Sequence, residues 1–153
     1  MAAQTEKQTA HVVVRGSGAT FQQEIVAGKH RFIADEPVTV GGNDAGPDPY
    51  DYLLAALGAC TSMTIGFYAR RNRLPLENII VSLSHSRIYA ADCEECETEQ
   101  GMLDRIDVEV ELTGSLSAEQ HSKLMQVAAK CPVHRTLTSE INIRLRAVDQ
   151  SWK

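Results

Sequence analysis

Positive charge is scarce in this chain. Its 15 Lys and Arg are outnumbered by 20 Asp and Glu, and the formal charge of -5 argues against a nucleic-acid backbone as partner, because phosphate recognition needs a concentrated positive field. The one basic knot, Arg70, Arg71 and Arg73, falls where a long helix would end, and cations there complement the negative pole of the helix dipole. The opening MAAQTEKQTA lacks the apolar centre of a secretion signal. No uninterrupted apolar run reaches the roughly 18 residues of a membrane span. The expectation is a soluble, cytoplasmic protein with neither membrane nor nucleic acid as partner. Internal repeats and low-complexity tracts are also missing, and 43% hydrophobic with 23% charged residues is ordinary globular composition. A chain of 153 residues can bury a core without disulfides or metal, so residues 1–153 read as a single domain, with residues 1–9 outside its ordered part.

Three short strands are expected first, at His11–Arg15, Thr20–Val26 and His30–Ala34, separated by glycine turns. GGNDAGPDP, residues 41–49, is a loop ending in a helix start, with Asp48 placed to cap and Pro49 at the first helical position. From Tyr50 to about Arg71 nearly every residue is apolar or small, the mark of a helix buried on most sides. Asp51 and several hydroxyls keep it from reading as a membrane span. Asn78–Tyr89 and Arg105–Leu112 alternate with period two, as half-buried strands do. Ser117 to Gln120 is a capping-box pattern for a second helix running to about Lys130. Cys131-Pro132 stops or kinks that helix, and a last strand is expected at Asn142–Val148. Hairpins mixed with helices give an α+β fold with a largely antiparallel sheet, a long central helix and a second helix. A helix apolar on nearly all sides needs a second covering surface beyond that sheet, which a homodimer supplies most simply.

Four cysteines without a secretion signal point to reduced, reactive or metal-binding thiols rather than a structural disulfide framework. Cys60 lies inside the apolar helix in LLAALGACTSM, where an inert core thiol is the plain reading. A helix break at Gly58 would instead place Cys60 in a first turn, whose free N–H groups favour a thiolate. Cys131, in KCPVHRTL, has His134 and Arg135 near in sequence, and cationic neighbours favour a reactive sulfur.

GPDPYDYLLAALGACTSMTIGFYARRNRLPLENI together with KCPVHRTLTSEI resembles the OsmC/Ohr family, named for osmotically inducible protein C and organic hydroperoxide resistance protein. The likeness runs from about Thr39 to Ile143, with both cysteine motifs in order. It implies an intertwined homodimer with central helices packed together and active sites at the interface. It further implies a peroxidatic role for Cys60 and a resolving role for Cys131, with hydroperoxide as substrate, a dithiol or lipoyl-type reductant, and no bound cofactor. The chain departs from the pattern at Tyr50, ten residues before Cys60, where family peroxidases carry a glutamate paired with an arginine. Asp51 is adjacent, but one step of helix turns a side chain by about 100°. Activation of thiolate and peroxide would then fall to Arg15, Tyr50, Asp51 or Arg135, with Arg31 a further cation. Leu53, Leu54, Met63 and Phe67 are candidate pocket residues, although apolar residues at helical spacing are more often core. An alternative is a catalytically weak binding or redox-sensing protein that holds an apolar ligand in the interface pocket.

Cys93-Glu94-Glu95-Cys96 is a single CxxC among acids. Negative neighbours oppose the thiolate that a redox CxxC uses, and zinc would need further ligands such as His85 or His134. The favoured reading is a plain acidic loop, with zinc, a loop disulfide or redox sensing as alternatives. His11, His30 and His121 show no ligand spacing.

Overall fold

Antiparallel strands and helices follow one another as the residue patterns dictate in a computed structural model, which describes residues 11–147. β1 (Val12–Gly16), β2 (Gln23–Ala27) and β3 (His30–Ala34) form a three-stranded sheet in chain order. β4 (Leu76–Tyr89) and β5 (Met102–Gly114) form a second, two-stranded one. The helices are α1 (Pro49–Arg71), α2 (Ala118–Ala128) and α3 (Pro132–Leu137). The fold is α+β with antiparallel sheets, and the chain divides into two compact units, residues 1–53 and 54–153.

In the first unit the β2–β3 hairpin turns on Gly28, whose φ of 61° suits the first central position of a type II′ turn. The second strand begins three residues later than expected, at Gln23. The loop that follows β3 is organised by Asp35, which is 2% exposed. Its Oδ1 accepts from Glu36 N at 2.9 Å, and its Oδ2 accepts from Asn43 N and Ala45 N, each at 3.1 Å. A side chain at Gly42 would strike the Glu36 carbonyl, so only glycine lets the loop fold over this carboxylate. Burial pushes the Asp35 carboxyl up, yet the N–H groups of Ala45, Glu36 and Asn43 outweigh it and hold the group below its ordinary 3.8.

In the second unit α1 lies on the β4–β5 ribbon. Val81 faces Val110, Leu83 faces Val108 and His85 faces Ile106 across the ladder. Leu57, Gly58, Thr61, Ile65, Gly66 and Ala69 form the buried stripe of α1. Ile65 and Ala69 meet Leu124 and Ala128 of α2 in the core. Ser117 Oγ accepts from Gln120 N at 3.1 Å, and Gln120 Oε1 accepts from Ser117 N at 2.9 Å, which is the expected capping box.

Four expectations need correction. The helix is unbroken at Gly58; that position is glycine because a Cβ would stand 2.6 Å from Leu83 Cδ1, so the residue serves close packing of helix on strand. α1 is buried on one stripe rather than most sides, with Met63 71% and Phe67 60% exposed. By length and a mean hydropathy of 1.4 it would also pass as a membrane span, but its buried stripe lies on β4 as a core helix does. Cys131-Pro132 does not simply end α2, since it opens α3. Residues 142–147 form no strand: no neighbouring strand pairs with them among the described residues, and Ile143 and Leu145 are 85% and 99% exposed. Val148, like residues 1–9, lies outside the described residues.

Leu124→Ala should cost about 3 kcal/mol, since it removes a fully buried side chain from the α1–α2 core; urea unfolding measures this. Asp35→Asn should lower the melting temperature at neutral pH by several degrees. Because the folded carboxyl titrates lower than the unfolded one, its contribution is complete above the ordinary value and fades as pH falls below it. Melting curves of wild type and variant should therefore converge between pH 5 and pH 2.

Candidate active site

Two free thiols, Cys60 and Cys131, are brought to one region of the second unit. Cys60 is half-buried on α1, and Thr64 Oγ1 donates to its carbonyl at 2.7 Å. It lines a groove of about 510 Å³ together with Ala56, Ala59, Met63, Thr64, Phe67 and Pro132. Apart from Cys60 and Thr64 this lining is wholly apolar, so the groove suits an apolar guest better than a small polar one.

Cys131 is fully buried and forms the N-cap of α3. Its Sγ accepts from His134 N at 3.2 Å and from Thr61 Oγ1 at 3.6 Å. Ser, Thr, Asp and Asn usually hold this place, because their oxygens satisfy an otherwise free N–H; here sulfur does so, with Pro132 at the first helical position. The two cysteines are linked through their neighbours. Thr61, next to Cys60, donates to the Cys131 sulfur, and Pro132, next to Cys131, lines the groove of Cys60. Thr61 and His134, the two donors to the Cys131 sulfur, also line a cavity of about 170 Å³ with Val108, Val110, Met125, Ala128 and Ala129. Sequence reasoning missed both Thr61 and α3. The pair Cys131-Pro132 carried the signal for α3, in the same form as Asp48-Pro49.

The remaining candidates separate. Met63 and Phe67 line the groove, whereas Leu53 and Leu54 do not. Arg15 and Arg31, in the first unit, share one carboxylate: Glu24 Oε2 lies 3.7 Å from Arg15 and Oε1 lies 2.7 Å from Arg31. Arg135 is on α3 with its side chain exposed, and its backbone N–H donates to the Cys131 carbonyl at 3.1 Å. Tyr50, second residue of α1, is 53% exposed. Asp51 completes a reciprocal cap with Asp48: Asp51 N donates to Asp48 Oδ1 at 2.9 Å, and Asp48 N donates to Asp51 Oδ2 at 3.2 Å.

The reading of residues 90–101 as a plain acidic loop also needs correction. Cys93 and Cys96 form a disulfide with Cα atoms 5.5 Å apart, within the range such a bond requires. His85 bonds Asp104 at 2.9 Å, and no cluster of three or more metal-ligating side chains occurs among the described residues.

The arrangement of antiparallel strands and helices places the chain in an α+β class that several solved structures share. An OsmC-like protein from Mycoplasma pneumoniae shares 18% identity with a TM-score of 0.66, over 86% of this chain and 88% of that one. An organic hydroperoxide resistance protein from Legionella pneumophila shares 21% with a TM-score of 0.61, over 85% and 89%. The protein OhrB of Bacillus subtilis, also an organic hydroperoxide resistance protein, shares 19% with a TM-score of 0.58, over 85% and 90%. No curated protein sequence matches. The family model described as OsmC-like protein matches residues 41–146, and the chain belongs to that family.

Asp51→Ala should cost about 1 kcal/mol through loss of the cap and leave the rate of Cys60 oxidation by peroxide unchanged. Thermal melts and stopped-flow thiol consumption read the two effects separately.

Proposed function

We propose that the protein is a thiol-dependent peroxidase that reduces organic hydroperoxides in defence against oxidative stress, with Cys60 peroxidatic and Cys131 resolving. One observation carries this reading: half-buried Cys60 lines an apolar groove, its neighbour Thr61 donates to the sulfur of the buried free thiol Cys131, and Pro132, next to Cys131, lines the same groove. The Cys60 thiolate attacks the distal peroxide oxygen, the O–O bond breaks, and the alkoxide takes a proton and leaves as alcohol. The resulting sulfenic acid condenses with the Cys131 thiol, forming a disulfide and releasing water. An external dithiol, of lipoyl or similar type, returns two electrons and two protons. The apolar lining favours fatty or aromatic hydroperoxides over hydrogen peroxide. A homodimer in the cytoplasm fits the same reading, because the exposed apolar face of α1 and the apolar side chains of residues 141–147 would be covered by a second copy.

Tyr50 favours a second reading. Where related peroxidases carry a glutamate this chain has a phenol, and the Asp51 carboxylate is engaged in the helix cap. A protein with slow thiol chemistry that binds or senses an apolar ligand in the groove would tolerate both.

Peroxide consumption with dithiol reductants distinguishes them. Cys60→Ser should abolish turnover. Cys131→Ser should allow a single turnover and leave a sulfenic acid on Cys60 that a dione reagent captures. Oxidation of Cys60 no faster than that of a free thiol, with no Cys60–Cys131 bond, would establish the second reading.

A further inference from the structure

The proposed chemistry makes no use of the Cys93–Cys96 disulfide at the tip of the β4–β5 hairpin. Its surroundings connect it to the active site. Cys93, Cys96, Asp92, Glu94 and Glu95 line a cavity of about 700 Å³ together with Thr138. Thr138 is the C-cap of α3, whose N-cap is Cys131. The cavity of the hairpin pair thus reaches the far end of the six-residue helix that Cys131 caps, a helix with a rise of about 9 Å.

We propose that Cys93 and Cys96 are a second redox pair that reduces the Cys60–Cys131 disulfide from within the chain, and that the external dithiol acts on this pair. The inference rests on the peroxidase reading above. One thiol of the reduced pair attacks the Cys131 sulfur, the Cys60–Cys131 bond breaks, and Cys60 leaves as a thiolate that takes up a proton. The other thiol then attacks the mixed disulfide, closing Cys93–Cys96 and releasing the Cys131 thiol. Two electrons pass from one pair to the other with no net change in protons. An external dithiol reopens Cys93–Cys96 and is itself oxidised to a disulfide.

The direction of transfer follows from charge. A couple whose thiolates are well stabilised is the stronger oxidant. Negative charge on the Cys131 sulfur meets two hydrogen-bond donors, Thr61 Oγ1 and His134 N. Negative charge on Cys93 or Cys96 meets Asp92, Glu94 and Glu95 in the same cavity. Electrons therefore run from the hairpin pair to the active-site pair. The same acids slow the attack, so transfer follows peroxide reduction as a distinct later step. Reach is supplied at both ends. Residues 93–101 carry no helix or strand, and the Cys131 sulfur, a weak acceptor, is held by two hydrogen bonds. Cys93 and Cys96 stand close enough to close on each other, with Cα atoms 5.5 Å apart, as the second step of the relay requires.

The test starts from fully reduced, full-length protein given one molar equivalent of an organic hydroperoxide, quenched by alkylation at intervals and mapped by peptide mass spectrometry. The expected result is a Cys60–Cys131 bond at early times, replaced by Cys93–Cys96 with both active-site thiols free. Cys93→Ser or Cys96→Ser should trap a mixed disulfide to Cys131. The double variant Cys93→Ser/Cys96→Ser should form Cys60–Cys131 at the normal rate and keep it. A Cys60–Cys131 bond that persists in the wild type overturns the relay and leaves the peroxidase reading intact. Equally fast closure of Cys93–Cys96 in Cys60→Ser also overturns it, since peroxide would then oxidise the hairpin directly. Failure of the double variant to form Cys60–Cys131 removes the peroxidase reading and the relay with it.

Discussion

The sulfur of Cys131 holds three parts of the second unit in place through two hydrogen bonds. As acceptor for His134 N it starts α3, and as acceptor for Thr61 Oγ1 it ties that start to α1. Because α3 begins there, Pro132 is positioned to line the groove of Cys60. Sulfur is a weaker acceptor than the oxygen of Ser or Asp, so this cap is more easily given up than the Asp48–Asp51 cap of α1. Any displacement of this sulfur would remove the cap from the first turn of α3, so the position of Cys131 and the order of that turn are coupled.

α1 meets two demands with one apolar composition. Its buried stripe contains Gly58 and Gly66, and Leu83 packs so closely at Gly58 that a side chain there would have to displace it. On the other face Met63 and Phe67 line the groove with Cys60. Glycines that admit close packing on one side, and apolar side chains left exposed on the other, put the thiol on an apolar surface without further elements.

Much of this was legible in the residues. Period-two alternation located β4 and β5, and both capping boxes fall where Asp48 and Ser117 signalled them, because local hydrogen bonds and side-chain periodicity act over a few residues. The errors have equally local causes. Pro132 was read as a stop, although Asp-Pro at 48 and 49 had been read as a start; cysteine is not among the usual caps, so the shared grammar went unseen. The unbroken helix at Gly58 depends on Leu83, and the role of Thr61 on Cys131, seventy residues away. Contacts of that range leave no periodic trace in a single sequence. Asp35 gave no signal for the same reason: its three partners follow it in the chain, but only the folded loop turns their N–H groups inward.

The carboxylates near α1 bear on how Cys60 could be activated. Asp35 accepts three backbone N–H groups, while Asp48 and Asp51 satisfy one another's N–H at the helix start. Turning Asp51 toward the thiol would forfeit the cap, at about 1 kcal/mol, and would still leave its side chain about 100° around the helix from Tyr50. The loop from Asp35 to Asp48 is held by these same bonds, so it fixes the start of α1 rather than lending it a mobile acid. The acids around the start of α1 are therefore engaged in holding backbone, and a thiolate on Cys60 would have to be stabilised by something other than these three carboxylates.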